Sequence, residues 1–271
     1  MHTLPHIYKQ RDNGTAMFYT WFSAMHTRVD IALISNQPEQ ALADLSSNIC
    51  KRVDNIERMA SCFRDDSELT AINRSAGQQP VAISPELEHI LKECAKYNAM
   101  TRGLFDITAA AGQTHAGCAA DIILPGDGTI SFRRRDLYIN LSGYLKGYAL
   151  EQTRTILTTF GIDNALVNMG NSSIMAIGNM NGDNGWTVAF NTGNTNHTTL
   201  RNSCLTTSGN NTYTRKHIID PRTGRLIEGQ RAIAIINSNA TEGEVLSTGL
   251  FIGTDIPFSG FKPYRIISNI Y

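Results

Sequence analysis

The sequence lacks an excess of charge of either sign, because its 24 Lys and Arg residues balance its 24 Asp and Glu residues. Without a basic field, binding to nucleic acid or to an anionic membrane surface is not expected. The densest cationic run, Arg133-Arg134-Arg135, is followed at once by Asp136, a pattern typical of a solvated turn. No apolar run reaches the length of a membrane span, so no integral membrane segment is expected.

The five cysteines are odd in number, and none belongs to a C-x-x-C pair. A disulfide framework and a structural zinc site are therefore not expected. The N-terminal segment, Met1 to Gly14, has neither an apolar signal core nor a cysteine that could carry a lipid. The expected location is therefore the cytoplasm, or the periplasm or a membrane anchor if a signal segment has been removed.

The 271 residues are 41% hydrophobic, which is enough for one large domain over residues 1–271. Residues 1–17 could form a loose N-terminal extension. Apolar spacings of three and four predict a long helix from Gln40 to Phe63, and Ser84-Pro85 is typical of the start of a second. The other predicted elements are helices at Ser67–Asn73, Tyr144–Phe160 and Glu242–Ile252, and strands at Phe18–Ile34 (broken near Ala24), Leu137–Leu141, Ala165–Met169, Ile174–Ile177, Trp186–Phe190 and Ala232–Asn237. This order favours an α+β fold, with mixed or antiparallel sheets packed against helices.

The segment from Thr206 to Gly224 is the most informative for function. Its first part predicts a polar loop punctuated by turn formers, and its last five residues, from Asp220, predict a tight turn. His217 lies between them, at the start of a short extended run. A neutral imidazole there could accept a proton from a hydroxyl near pH 7, although a histidine beside a strand is more often structural.

Four other segments combine polar side chains with turns or helix starts. Asn140–Ala149 predicts a strand end, a small-residue turn and a helix start carrying Lys146, which suits a phosphate group. Glu244 and Thr248 are four residues apart on a predicted helix, so that their oxygens share one face and suit a hard cation. The other two segments are Phe105–Thr108 and Asn168–Asn171. Taken singly, each segment is better interpreted as a plain strand-to-helix turn, a hairpin or an exposed helical position.

In their order and spacing, these segments resemble the ApbE family, the FAD:protein FMN transferases, over about residues 25 to 255. The most specific strings are His217–Gly224, which resembles H-I-I-D-P-x-T-G, and Leu145–Ala149, which resembles the end of D-L-G-G-I-A-K-G-Y-A. The weaker matches are Met25–Thr27 with M-G-T, Ser67–Asn73 with S-E-L-x-x-L-N, Phe105–Thr108 with F-D-I-T, Asn168–Asn171 with N-L-G-G-N, Thr207–Gly209 with T-S-G, and Glu244–Thr248 with D-A-L-A-T.

The resemblance implies a magnesium-dependent reaction that moves FMN from FAD to a Thr or Ser hydroxyl of an acceptor protein and releases AMP. It implies that His217 is the general base. It implies Mg²⁺ ligands at Gly143, through its carbonyl, and at Glu244 and Thr248. The positions implied to contact FAD are Met25, Asp106, Thr108, Lys146, Gly147, Gly170 and Ser208.

The sequence departs from the family pattern at several of these positions. Glu244 stands where the family has Asp, and its longer side chain must still meet the octahedral geometry of Mg²⁺ at about 2.1 Å. Asn140 replaces another Asp, and Ser142, Asn171 and His26 replace glycines. Two alternatives therefore stay open beside the transferase: an ApbE-like protein that binds FAD or another nucleotide without transfer, and a pyrophosphatase that hydrolyses FAD to FMN and AMP.

Overall fold

The computed structural model describes residues 4–109, 118–180, 182, 184–191, 195–210, 218–229, 232–253 and 259–270. Within these ranges the chain forms five α-helices, one 3-10 turn and fifteen strands. The helices are α1 (Glu39–Ala60), α2 (Glu68–Ser75), α3 (Pro85–Met100), α4 (Ser142–Thr159) and α5 (Ala240–Ile252), and the 3-10 turn is Ala119–Asp121. The strands are β1 (His6–Gln10), β2 (Ala16–Ala24), β3 (Thr27–Ser35), β4 (Val81–Ala82), β5 (Ile122–Ile123), β6 (Thr129–Phe132), β7 (Asn164–Met169), β8 (Ser173–Ile177), β9 (Trp186–Asn191), β10 (Thr195–Leu200), β11 (Ser203–Gly209), β12 (Ile219–Asp220), β13 (Arg225–Leu226), β14 (Ala232–Asn237) and β15 (Tyr264–Ile270).

One large sheet organises the molecule. Its eight strands lie in the order β1-β2-β3-β7-β8-β11-β14-β15, and every neighbouring pair is antiparallel. Successive side chains of a strand point to opposite faces, and both faces of this sheet are covered. Leu33, Val167 and Met175 face the core formed with α1, α3 and α4. Ile174 and Ala176 face the other way, into a second core that includes Trp186 and Phe190 of the β9–β10 hairpin.

These observations confirm the α+β class and most of the predicted helices. The helix predicted over Gln40–Phe63 is α1, which ends at Ala60, and Ser84 caps α3 by accepting a hydrogen bond from the Leu87 amide at 3.4 Å. The short helical turn predicted at Ser67–Asn73 is α2, whose N-cap is Ser67. The strand predicted over Leu137–Leu141 is wrong, since this segment is irregular and the strand precedes it as β6.

Two further expectations need correction. The polar loop predicted from Thr206 is wrong for its first residues, because β11 runs to Gly209 between β8 and β14. The segment considered as a loose extension contains β1, the edge strand that pairs with β2. The His6 ring stacks on the buried Phe18 ring, with centroids 4.9 Å apart, and fixes β1 to the core.

No helix within the described ranges is long and apolar enough to cross a lipid bilayer.

Candidate active site

A cavity of about 850 Å³ opens where the ends of several elements meet, and we call it the main cavity. Its walls come from the β2–β3 turn, the segment 104–109, the start of α4, the β7–β8 turn, the end of β11 and one face of α5. Eight of the predicted site residues line it: Met25, Asp106, Gly143, Lys146, Gly170, Ser208, Glu244 and Thr248. The fold therefore brings together residues up to 223 positions apart, from 25 to 248.

Three predicted site residues are not in this wall. His217 lies outside the described residues, although its neighbours Ile218 and Ile219 line the cavity. Gly147 lies where α4 crosses α5, and a Cβ there would be 2.5 Å from the Ala240 carbonyl oxygen, so it serves close helix packing. Thr108 is fully buried behind Asp106.

Asp106 and Thr108 form a local turn at the edge of the main cavity. Asp106 Oδ1 accepts hydrogen bonds from the Thr108 amide at 2.8 Å and from Thr108 Oγ1 at 2.6 Å. Thr108 Oγ1 in turn accepts a hydrogen bond from the Cys118 amide at 2.7 Å. Short side chains that bond to nearby backbone in this way favour turns over helix or strand. Thr108 thus supports Asp106, which faces the cavity.

The N-terminal turn of α4 brings polar groups to the cavity floor. Asn140 Oδ1 accepts a hydrogen bond from the Ser142 amide at 2.9 Å, as the short side chain of an aspartate would. Lys146 follows one turn later, and its ammonium donates a hydrogen bond to Ser172 Oγ. A helix start with a nearby ammonium favours an anionic ligand such as a phosphate.

Glu244 on α5 is the acidic group of the site. Its side chain is 5% exposed, and its Oε1 accepts a hydrogen bond from the Ser173 hydroxyl. Burial raises the pKa of Glu244, although the nearby Lys146 ammonium and the Ser173 hydrogen bond oppose that shift. Removing a carboxylate from water disfavours its charged form, and a bound cation would reverse this.

The implied Mg²⁺ ligands lie next to one another. Glu244 and Thr248 are one turn apart on α5, and a Cβ at Gly143 would be 3.9 Å from Thr248 Oγ1. Within the described ranges no three His, Cys, Asp or Glu side chains form a metal cluster. The three implied ligands contain one carboxylate, that of Glu244. Hydroxyl, carbonyl and carboxylate oxygens are nonetheless the donors that a hard cation takes, and the chemistry of the set fits Mg²⁺ with water or phosphate completing it.

The two residues that connect β2 to β3 form the turn at the cavity rim. Met25 and His26 both have positive φ, at 51° and 57°, and Ala24 pairs with Thr27, as expected for a two-residue hairpin turn. Histidine tolerates this conformation better than most residues, which accounts for His26 where the family pattern has Gly. The Met25 amide donates a hydrogen bond to Glu57 Oε2 at 2.8 Å and ties the turn to α1.

The β7–β8 turn uses the same conformations. Gly170 has a φ of 66°, and a Cβ there would be 2.4 Å from Thr27 Oγ1. Asn171 has a φ of 60°, and Asn is among the few residues that adopt this region readily. The Asn171 amide also donates to Asn168 Oδ1 at 2.9 Å. Asn171 therefore fits the position where the family pattern has a second Gly.

Ser208 lines the main cavity near the end of β11. Its hydroxyl donates a hydrogen bond of 2.8 Å to Ser247 Oγ, which is buried on α5. This bond joins the sheet to the helix that carries Glu244 and Thr248.

A second, mostly apolar cavity of about 380 Å³ adjoins the first, and we call it the side cavity. The two share Met25, His26, Ser142 and Lys146. Phe63 lies on its wall with 64% of its surface exposed, and its ring meets the His26 ring edge-on at 5.6 Å. The sequence pattern placed Phe63 on the apolar face of the long helix, whereas it follows the end of that helix. Its position directly before the polar run Arg64-Asp65-Asp66 was the sequence signal that could have indicated an exposed position beyond the helix.

Comparison with known proteins gives a consistent result. The model of the ApbE family matches residues 25–255. A curated protein of Vibrio cholerae, named FAD:protein FMN transferase, is 23% identical over 245 residues, which cover 77% of this chain and 73% of that protein. The solved flavin transferase ApbE from Vibrio cholerae superposes with a TM-score of 0.76 at 21% identity, covering 88% and 87% of the two chains. The apbe protein of Thermotoga maritima superposes with a TM-score of 0.77, also at 21% identity, covering 88% of each chain.

Proposed function

The chain belongs to the ApbE family, and from that premise we propose that it is a transferase that moves FMN from FAD to a Ser or Thr hydroxyl of an acceptor protein. The observation that carries the proposal is the main cavity, where the implied cation ligands, the lysine and the turn residues line one space. Glu244 is buried in that wall with Thr248 one helical turn away, so that both side chains can supply oxygens to a cation.

In the proposed reaction, the acceptor hydroxyl oxygen attacks the phosphorus on the FMN side of the FAD pyrophosphate. A phosphoester bond to the acceptor forms, the bond from that phosphorus to the bridging oxygen breaks, and AMP leaves with the bridging oxygen. The hydroxyl proton passes to a base. A Mg²⁺ ion held by Glu244, Thr248 and the Gly143 carbonyl would supply charge neutralisation for the pyrophosphate.

The residues of the chain have separate tasks in this scheme. Lys146 binds a phosphate oxygen from the start of α4, where the helix dipole also favours negative charge. The apolar wall of the side cavity, with Phe63 at its mouth, accepts a flat ring of the dinucleotide and excludes water from it. His217 is the proposed proton acceptor, and this assignment remains a prediction from the sequence.

The test uses purified protein, FAD and MgCl₂, with and without the acceptor protein of the Vibrio cholerae transferase as the probe. AMP release is followed by chromatography and the acceptor mass by mass spectrometry. We expect AMP release together with the addition of one FMN phosphoryl unit to the acceptor. AMP release with FMN in solution and no labelled acceptor would instead indicate the pyrophosphatase.

A histidine pair provides the control. His217→Ala is expected to lower the transfer rate by roughly 100-fold or more while FAD still binds. His89→Ala, which removes an exposed histidine of α3, is expected to leave the rate unchanged. Equal rates for His217→Ala and the wild type would remove His217 from the mechanism.

A further inference from the structure

A continuous chain of polar groups joins the lysine of the main cavity to its buried carboxylate. The Lys146 ammonium donates to Ser172 Oγ, the Ser172 and Ser173 hydroxyl oxygens are 3.4 Å apart, and the Ser173 hydroxyl donates to Glu244 Oε1. The four side chains come from α4, the β7–β8 turn, β8 and α5. Two adjacent serines therefore stand between a cation and an anion of the same site.

The two charges are close but do not pair. Lys146 and Glu244 line the same cavity and are linked through two serine hydroxyls, yet these two described side chains form no ion pair within 4.0 Å. Opposite charges in a poorly solvated site attract strongly, and a direct pair would be the ordinary outcome. Each charge is instead bonded to its own serine hydroxyl.

The fold fixes Ser173 and Glu244 in the positions that allow this hydrogen bond. Ser173 is fully buried at the first position of β8, opposite Met169 of β7 and Thr206 of β11. On the other side, Glu244 Cγ passes over Gly147, where a Cβ would be 2.8 Å away. The carboxylate thus sits between a fixed hydroxyl and a helix backbone, and among the described residues its second oxygen has no hydrogen-bond donor.

We propose that Ser172 and Ser173 are positioning residues that keep the Lys146 ammonium out of the cation site at Glu244. Ser173 orients one carboxylate oxygen and leaves the other for a divalent cation, while Ser172 holds the ammonium on the phosphate side. This inference rests on the function proposed above. It also accounts for how the longer Glu side chain serves where the family pattern has Asp.

The test measures Mn²⁺ binding by paramagnetic resonance titration of the full chain without FAD. Ser173→Ala is expected to weaken Mn²⁺ binding by roughly 10- to 100-fold, the usual effect of losing a group that orients a metal ligand. In a Lys146→Met background, where no ammonium competes for Glu244, the same substitution is expected to cost less. In the double-mutant cycle, the loss of Mn²⁺ affinity caused by Ser173→Ala should be roughly tenfold smaller in the Lys146→Met background than in the wild type.

A purely structural role for Ser173 would not depend on Lys146, so additive effects in this cycle would overturn the proposal. Ser46→Ala is the matched control, because it removes another buried serine hydroxyl, one in α1 that has no hydrogen-bond partner among the described residues. It should leave Mn²⁺ affinity unchanged. Circular dichroism checks that each variant is folded.

If Ser173→Ala does not fold, Ser172→Ala carries the same test, because Ser172 is only half-buried and its loss also frees the ammonium. Its effect should have the same sign and the same dependence on Lys146. A wild-type chain that binds no Mn²⁺ would overturn the proposal. Coupled Mn²⁺ binding without FMN transfer would support it while refuting the proposed function.

Discussion

Phe63 is the residue whose exposure most needs a reason. An aromatic ring that is 64% exposed, three residues after the end of a helix, buries little apolar surface in the fold. It lies instead on the wall of the side cavity, beside the Met25–His26 turn. A large aromatic at the mouth of an apolar cavity is a typical surface for stacking a ligand ring.

We therefore expect Phe63→Ala to weaken FAD binding about tenfold, which corresponds to the ~1.4 kcal/mol of one ring contact. Quenching of flavin fluorescence measures the affinity. Phe160→Ala is the control, because Phe160 is also partly exposed, at 38%, but lies at the end of α4 away from both cavities. If Phe63→Ala and Phe160→Ala bound FAD with the same affinity, Phe63 would have no role in flavin binding.

Sequence patterns located the polar residues of the site better than the residues that support them. Glu244 and Lys146 were predicted from the order and spacing of motifs that resemble the ApbE family, and both line the main cavity. Phe63 and Ser173 were missed, since an aromatic and a serine are common in any context. Gly147 was assigned to the ligand because a glycine in a motif does not show whether a ligand or a helix approaches it.

At the scale of elements, the crossing of α4 and α5 sets the distance between Lys146 and Glu244. A Cβ at residue 147 would lie 2.5 Å from the Ala240 oxygen and 2.8 Å from Glu244 Cγ. Neither the Ala240 backbone nor the buried Glu244 side chain can move freely to make room for this atom. Gly147→Ala should therefore lower the free energy of unfolding by about 1–3 kcal/mol, as measured by urea denaturation.

Gly143 provides the comparison on the same helix. Among the described residues, a Cβ there would meet Phe105 Cε2 at 3.8 Å and Thr248 Oγ1 at 3.9 Å, which are ordinary contacts. Gly143→Ala should be neutral or stabilise the fold by up to ~1 kcal/mol, because alanine favours a helix. If the two variants were equally stable, close packing would not be the reason for glycine at 147.

A polar cluster around Glu86 joins three helices. Arg52 of α1 binds both Glu86 oxygens, and Tyr148 of α4 donates to Glu86 Oε1 at 2.8 Å. Burial acts to raise the pKa of Glu86, but the hydrogen bonds from Arg52 and Tyr148 outweigh it, so the pKa lies below 4.5. The charged form is favoured in the folded state, and its contribution is present above that value and lost as the pH falls through the folded pKa.

Glu86→Gln should therefore be less stable than the wild type at pH 7, by about 1 kcal/mol after allowance for the exposed third of the side chain. The difference should shrink as the pH falls below 4.5. Denaturation midpoints across this range measure it. Glu93→Gln, on the same helix and paired with the exposed Lys96, should change stability little. A difference that is constant with pH would exclude the charged cluster as its source.

Elements with a strong apolar period or clear capping residues were the easiest to predict from the sequence. The helices α1 and α3 bury residues every three or four positions, and the start of each was located to within one residue. β11 reads as a polar loop because its Thr and Ser side chains are buried by contacts from far along the chain, such as the bond from Ser208 to Ser247. The place of β1 at the sheet edge likewise depends on pairing that no local pattern shows.

At the scale of the whole molecule, the site is formed by parts that are distant in sequence. The β2–β3 turn, α4, the β7–β8 turn and α5 meet at one side of the same sheet, and the cores on its two faces fix them relative to one another. Antiparallel sheets that pair strands across long sequence separations form only together with the whole fold. The cavity should therefore exist only in the native state, and a ligand that fills it should stabilise all of these parts at once.

FAD at 100 times its dissociation constant should add about 2.7 kcal/mol to the stability of the native state, because it has no site in the unfolded chain. For a chain of this size, that corresponds to a rise in Tm of roughly 5–10 °C, within one cooperative transition. Differential scanning fluorimetry or calorimetry measures the shift, with FMN and AMP as separate controls that each fill only part of the cavity and should give smaller shifts. Lys146→Met should reduce the FAD shift, since the phosphate contact is lost while the rest of the cavity remains. An FAD shift no larger than that of AMP would mean that the flavin half lies outside the cavity, and no shift with any of the three would exclude the main cavity as a dinucleotide site.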